Sequence, residues 1–363
     1  MLSFFYIRNS SICLILVYET NANFAEWSGD SMNISVLGAG AWGTAMAMAF
    51  AAKNQVLLWG RNQQAIAIMQ AERQNRAYLP GFTFPTALQA TADFSAALAH
   101  AAGPDNLLVV ATSVSGLRST LEACLPYQAS NIVWLCKGFE ENSQLLPHQV
   151  AHAVLGDKVA FGALSGPSFA QEVARGLPCA LTIASTSAKL SQLVVQALHG
   201  NAVRVYSSDD LIGVEVGGAV KNIMAIATGI VDGMGLGLNA RAALITRGLA
   251  EISRLGVALG ARAETLMGLT GVGDLILTCT GDLSRNRRVG LALAQGKSLE
   301  NIVLELGHVA EGVRCAQAVR GLARELGIDM PITEAVAGVL FDGVSAQQVM
   351  GRLLARDAKQ ESH

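Results

Sequence analysis

Ile34-Ser35-Val36-Leu37-Gly38-Ala39-Gly40-Ala41-Trp42-Gly43 is the stretch that decides the fold. Ile34 to Leu37 read as a buried strand, and Thr44 to Lys53 read as a helix. Between them stands Gly38-x-Gly40-x-x-Gly43. The glycine spacing alone is a weak signal, but between a strand and a helix it is specific. Gly38 permits a tight turn, Gly40 lets the backbone approach a pyrophosphate, and Gly43 lets the helix pack on the strand. The amides at the start of that helix then hold the anion. A strand–turn–helix with no ligand would rarely need all three glycines.

Outward from this unit the pattern repeats. Val56–Trp59, Leu107–Ala111, Ile132–Cys136, Val159–Leu164 and Cys179–Ala184 read as strands, and Gln63–Glu72 and Leu145–Leu155 read as helices. Alternation of this kind predicts a parallel, doubly wound sheet. After Ser208 the strands stop. Helical periodicity then covers about 211–231, 240–259, 284–295, 311–326 and 331–341, with Asp209 or Asp210 to cap the first and Pro331 in the opening turn of the last. The fold class expected is therefore α/β: a dinucleotide-binding sheet over 32–208, followed by an all-helical substrate domain over 209–363.

Residues 1–31 do not fit this pattern. One arginine precedes the short apolar run Ile12–Tyr18, and no small-x-small cleavage site follows it directly. We expect a disordered extension or a start called too far upstream, with Met32 as a natural first residue, in preference to a secretory signal.

The 363 residues suffice for two cores, and 51% hydrophobic with 15% charged residues excludes disorder. A net charge of −2 gives no basic field for nucleic acid or an anionic membrane. Cys13, Cys124, Cys136, Cys179, Cys279 and Cys315 form no C-x-x-C pair, so reduced thiols in a cytoplasm are expected. The charge-free stretch Ser31–Ala52 is interrupted by glycines, and no transmembrane helix is expected.

Lys221 lies within an almost wholly apolar helical pattern. A buried ammonium must lose its charge or find a partner, so Lys221 is either a structural ion pair or the acid/base of a reaction. Lys137 follows the strand Ile132–Cys136, at the end of the sheet where ligands bind. Ser165-Gly166-Pro167-Ser168 follows another strand, as a ligand-binding loop or an ordinary turn. Asp274, flanked by glycines, either orients Lys221 or caps a helix. Ser284-Arg285-Asn286-Arg287-Arg288 sets three arginines against a helix macrodipole, which suits a bound phosphate better than a solvated basic face. Arg61, just past the second strand, stands where an NAD site usually has a carboxylate. It favours NADP or dual use, unless it is a solvated loop arginine. His148 and His152 share a helix face, but Gln149 replaces the glutamate of a zinc protease, so no metal is expected.

GAGAWGTA (38–45), NRAYLP (75–80), KG (137–138), SGPSFA (165–170), GVEVGGAVKN (213–222), NARAALITRG (239–248), GVGDLILTCT (271–280), SRNRR (284–288) and EG (311–312) occur in one order. From Met32 to the last helix the chain thereby resembles the bacterial NAD(P)-dependent glycerol-3-phosphate dehydrogenases. The resemblance implies a Rossmann domain, a helical domain and a cytoplasmic homodimer. It implies interconversion of dihydroxyacetone phosphate and sn-glycerol 3-phosphate for phospholipid synthesis. By the same resemblance Lys221 is the proton acceptor in oxidation. Lys137, Gly166, Ser168, Asp274, Ser284, Arg285 and Asn286 surround the substrate. Ala41, Trp42, Arg61, Lys137, Ala170, Arg285, Val309 and Glu311 contact the nucleotide. The chain departs from the family at Thr112, where a proline is usual before the serine, and at Cys136, where a threonine is usual. Two other readings remain open here: a related two-domain 3-hydroxyacid dehydrogenase, and a catalytically silent NAD(P)-sensing protein.

Overall fold

Nearly continuous apolar runs build the sheet, as strands covered on both faces require. The computed structural model describes residues 31–354 apart from Gln128, Asn201 and 307–309. Its eight strands are β1 (Asn33–Leu37), β2 (Gln55–Trp59), β3 (Leu88–Thr91), β4 (Leu107–Val110), β5 (Asn131–Trp134), β6 (Ala160–Ser165), β7 (Cys179–Ala184) and β8 (Val203–Ser208). The interleaved helices are α1 (Ala41–Phe50), α2 (Gln63–Glu72), α3 (Phe94–His100), α4 (Val114–Cys124), α5 (Pro147–Leu155), α6 (Ala170–Ala174) and α7 (Ala188–Leu198).

The strand order is β3-β2-β1-β4-β5-β6-β7-β8. Leu37 pairs with Trp59 on one side and Val110 on the other, so the sheet changes its direction of growth at β1. The glycine turn leaves β1 at this switch point, where doubly wound sheets take their ligands. The sheet is not wholly parallel, as the sequence had suggested: β6 and β7 run antiparallel. The chain between them has only the five-residue α6, whereas a parallel connection needs a crossover back to the far end of the sheet. The return keeps Gly166 to Ala170 at the ligand-binding end.

From Leu211 the chain is helical. Its elements are α8 (Leu211–Gly233), α9 (Gly237–Ala258), α10 (Ala263–Leu266), a π-turn (Leu269–Gly273), α11 (Asp274–Thr280), α12 (Arg285–Ala294), α13 (Leu299–Leu306), α14 (Glu311–Glu325), α15 (Pro331–Phe341) and α16 (Ala346–Leu354). Asp210 caps α8, accepting from the Gly213 amide at 2.8 Å. Every residue from Gly213 to Val231 is buried. By length and composition α8 would suffice to cross a membrane, but its apolar surface is already covered by protein. Helix α12 crosses it at backbone contact: a Cβ on Gly229 would stand 2.1 Å from the Arg287 carbonyl, and one on Gly290 would stand 2.0 Å from that of Ile226. The sheet and these helices belong to one compact unit.

Candidate active site

Burial forces the two lysines to share a carboxylate. Lys221 is 7% exposed and Asp274 1%. Lys221 Nζ donates to Asp274 Oδ1 at 2.5 Å and to Thr278 Oγ1 at 2.9 Å. Lys137 Nζ donates to the other oxygen, Oδ2, at 2.7 Å, and to the Gly166 carbonyl at 3.2 Å. The Ser168 hydroxyl donates to the same carbonyl at 3.1 Å. Asp274 opens α11 after the π-turn, and its carboxylate is taken up by the ammoniums instead of capping the helix.

Two positive charges on one buried carboxylate leave the cluster short of negative charge. Burial draws the Lys221 ammonium down to about 8, and Lys137 adds to the effect against the pull of Asp274. For Asp274 burial acts upward, but the two lysines outweigh it and hold the carboxyl below its usual range. Glu311, the first residue of α14, is raised by burial against the pull of Arg285, Lys137 and Lys221. It therefore lies within the field of all three cations.

The α12 N-terminus reaches the cluster through Asn222, the neighbour of Lys221. Asn286 Nδ2 donates to Asn222 Oδ1 at 2.9 Å, and Asn286 Oδ1 accepts from the Gly312 amide at 3.0 Å. Ser284 caps the helix, accepting from Arg287 N at 3.3 Å. The three arginines of the run have different surroundings. Arg287 pairs with Asp232 at 2.8 Å and with Asp282 at 2.9 Å, and Arg288 donates to the Asp282 carbonyl. These two acids offset the macrodipole penalty for Arg287, Arg288 is held by a backbone carbonyl, and Arg285 stands exposed at the first position of the helix.

The glycine turn fits a pyrophosphate. Gly38 has φ +129°, and a Cβ there would lie 2.7 Å from the Ala111 carbonyl. A Cβ on Gly43 would collide with the Gly38 carbonyl at 2.0 Å, whereas one on Gly40 would meet open space. Gly40 is the cap residue of α1 and supplies no side-chain bond, so the first-turn amides of Ala41 and Trp42 have no side-chain cap. Asn75 braces the turn by donating to the Ala39 carbonyl at 2.9 Å and to Thr44 Oγ1 at 2.8 Å. Arg61 is exposed beyond β2, and Ala170 opens α6, which packs against α1. Val309 lies outside the described residues.

Several participants escaped the sequence. Thr278 follows Asp274 by one helical turn, a spacing that only becomes a signal once α11 is known to be a helix. Asn75 falls in NRAYLP and has no recognisable chemistry until the loop is folded. The histidine pair divides: His148 meets Glu215 and His152 meets Asp157.

Comparison with known proteins agrees with this geometry. The family model for the NAD-dependent glycerol-3-phosphate dehydrogenase N-terminus matches residues 33–191, and that for its C-terminus matches 210–351. A glycerol-3-phosphate dehydrogenase [NAD(P)+] of Janthinobacterium sp. is 67% identical over 91% of this chain and 99% of its own. The enzyme of that name from Paucimonas lemoignei is 68% identical over the same shares. The crystal structure of glycerol-3-phosphate dehydrogenase from Coxiella burnetii superposes with a TM-score of 0.85 at 42% identity, over 90% of this chain and 99% of that one. With a glycine turn at the switch point and a buried lysine–aspartate–lysine cluster, this chain belongs to the NAD-dependent glycerol-3-phosphate dehydrogenase family.

Proposed function

We propose that the protein interconverts dihydroxyacetone phosphate and sn-glycerol 3-phosphate with NAD(P)(H), supplying glycerol phosphate for phospholipid synthesis. The observation that carries this reading is the sharing of buried Asp274 by Lys221 and Lys137. A silent nucleotide sensor has no use for such a cluster, and the family match separates this chain from the hydroxyacid dehydrogenases.

The nicotinamide, when bound, supplies or accepts the hydride. The chain handles the proton. In reduction Lys221 donates from Nζ to the carbonyl oxygen as charge develops there, and in oxidation neutral Lys221 removes the hydroxyl proton. A group held near 8 serves both directions at neutral pH. Lys137 stabilises the developing oxyanion, and Asp274 aims both ammoniums. Arg285, with the α12 amides, holds the phosphate, so that binding energy fixes the reacting carbon. Ser284 and Asn286 support that helix end, and Gly166 and Ser168 line the Lys137 side. The turn from Gly38 to Gly43, with Ala41, Trp42, Arg61, Ala170, Val309 and Glu311, belongs to the nucleotide.

Several finer points complete the proposal. The domains divide at 208/209, so that Lys221 lies close to their seam. Arg61 favours a 2′-phosphate and hence NADP, or use of both cofactors. The chain is a homodimer, consistent with the exposed apolar residues Leu236 and Leu238 at the start of α9. It is cytoplasmic, where the cysteines that are unpaired among the described residues stay reduced. Nicotinamide absorbance with dihydroxyacetone phosphate, run with NADH and NADPH in parallel, tests the reaction. Light scattering tests the dimer.

A further inference from the structure

Glu215 is a charged residue for which the reaction described above has no use. Its side chain is 2% exposed, inside α8. It accepts from Trp134 Nε1 and from the His148 amide, both at 3.0 Å on Oε1, while His148 Nδ1 stands 2.5 Å from Oε2. Burial raises its carboxyl, against the bonds from His148 and Trp134. Burying a carboxylate is costly, and an apolar residue would fill the same place in the core.

Its partners explain the choice. Trp134 ends β5, and Lys137 follows it by three residues. On α8 the same interval runs from Glu215 to Gly218 and from Gly218 to Lys221, each step turning about 60° around the helix, so that the three follow one another along its length. Glu215 bonds Trp134. Gly218 faces the stem of Lys137, so that a Cβ there would lie 3.4 Å from Lys137 Cγ and Cδ. Lys221 then meets Lys137 across Asp274. The end of β5 thus meets α8 at three successive points, and Glu215 is the one farthest from the chemistry.

We propose that Glu215 is a positioning residue. By holding α8 to the end of β5 it sets the separation of the Lys137 and Lys221 ammoniums on Asp274. This rests on Lys221 as the proton carrier. Small errors in such a separation are expensive in rate, because the barrier depends on alignment.

The test compares Glu215→Leu, which removes the bridge, with Glu215→Gln, which keeps an acceptor for Trp134 and the His148 amide. Both are assayed in the full-length protein with dihydroxyacetone phosphate and NADH. In Glu215→Leu kcat should fall on the order of ten- to hundredfold while the nucleotide dissociation constant is unchanged. Lys221 faces Asp274, Lys137, Glu311 and Thr278. With Lys137 drawn away it loses a like charge, so the pH limb of kcat/KM should move to higher pH. Glu215→Gln should recover most of both. A folded Glu215→Leu variant with wild-type kcat and pH limb overturns the proposal. So does a loss of kcat matched by an equal loss of nucleotide binding, which would mark a purely structural role. If Glu215→Leu does not fold, Trp134→Phe decides, because it removes the Nε1 bond to Glu215 and keeps a ring in the core. Lowered kcat with a moved limb supports the proposal, and wild-type behaviour overturns it. Wild-type turnover and its loss in Lys221→Ala test the proton carrier separately, and failure there removes both readings.

Discussion

Lys221 exchanges its proton at about 8, where its ordinary value would be 10.5, because burial and Lys137 together outweigh Asp274. Reduction needs the ammonium and oxidation needs the free amine. The kcat/KM for dihydroxyacetone phosphate should therefore be level at low pH and fall as pH rises through about 8. The kcat/KM for glycerol 3-phosphate should rise through the same range. A pair of pH–rate profiles checks this, and two profiles with the same direction at that limb would assign the limb to another group. Arg61 belongs to the same scale. Arg61→Asp should weaken NADPH binding on the order of tenfold or more and leave NADH nearly unaffected, because a charge-assisted contact to a phosphate is lost. Fluorescence titration with both nucleotides measures it. Equal weakening would mean that the arginine stacks or is solvated.

Helices α8 and α12 approach as closely as their glycines allow. Gly290→Ala puts a methyl 2.0 Å from the Ile226 carbonyl, so the helices must separate. That should cost about 1–3 kcal/mol, read as a lowered Tm, and should raise KM for the phosphorylated substrate, since Arg285 travels with α12. A variant with wild-type Tm and KM would show that the crossing relaxes freely. Elements with strong periodicity were legible from the sequence: β7, α2 and α15 appear with the expected bounds. The start of α1 was not, because Ala41 to Gly43 read as loop whereas the helix opens directly on the second glycine of the turn. Strands β3 and β8 went unread. Leu88–Thr91 has one apolar aliphatic residue beside Ala, Gln and Thr, and β8 carries exposed Arg204 and Tyr206 at the sheet edge. Helix α11 was hidden by the glycines before it, which feed a π-turn instead of ending the chain's helical course.

Across the molecule, the chain's chemistry was legible where one residue type has few uses. A lysine inside an apolar helix and three glycines in a turn fall in that class. The partners were less legible, because Asp232, Asn222, Thr278 and Glu215 acquire meaning only when distant segments meet. Glu251 is such a residue. It lies on α9 and accepts from the Ile332 and Thr333 amides at 2.6 and 3.1 Å, tying down α15. Burial raises its carboxyl from 4.5 to about 7, against those bonds. The folded state then holds a proton that the unfolded state has lost. This contribution is full below the unfolded value and is lost as pH rises toward about 7, on the order of 3 kcal/mol in all. Urea unfolding across this range should show a downward slope that Glu251→Gln flattens. An unchanged slope would show that Glu251 is ionised throughout.

The most direct test of the whole account is single-turnover oxidation of bound NADH by dihydroxyacetone phosphate in the wild-type protein and in Lys221→Ala. The account predicts rapid oxidation in the wild type. In the variant it predicts a rate lower by roughly 10²- to 10⁴-fold, with nucleotide affinity retained. Near-wild-type oxidation by Lys221→Ala would contradict the central claim that Lys221, set by Asp274 and Lys137, moves the proton.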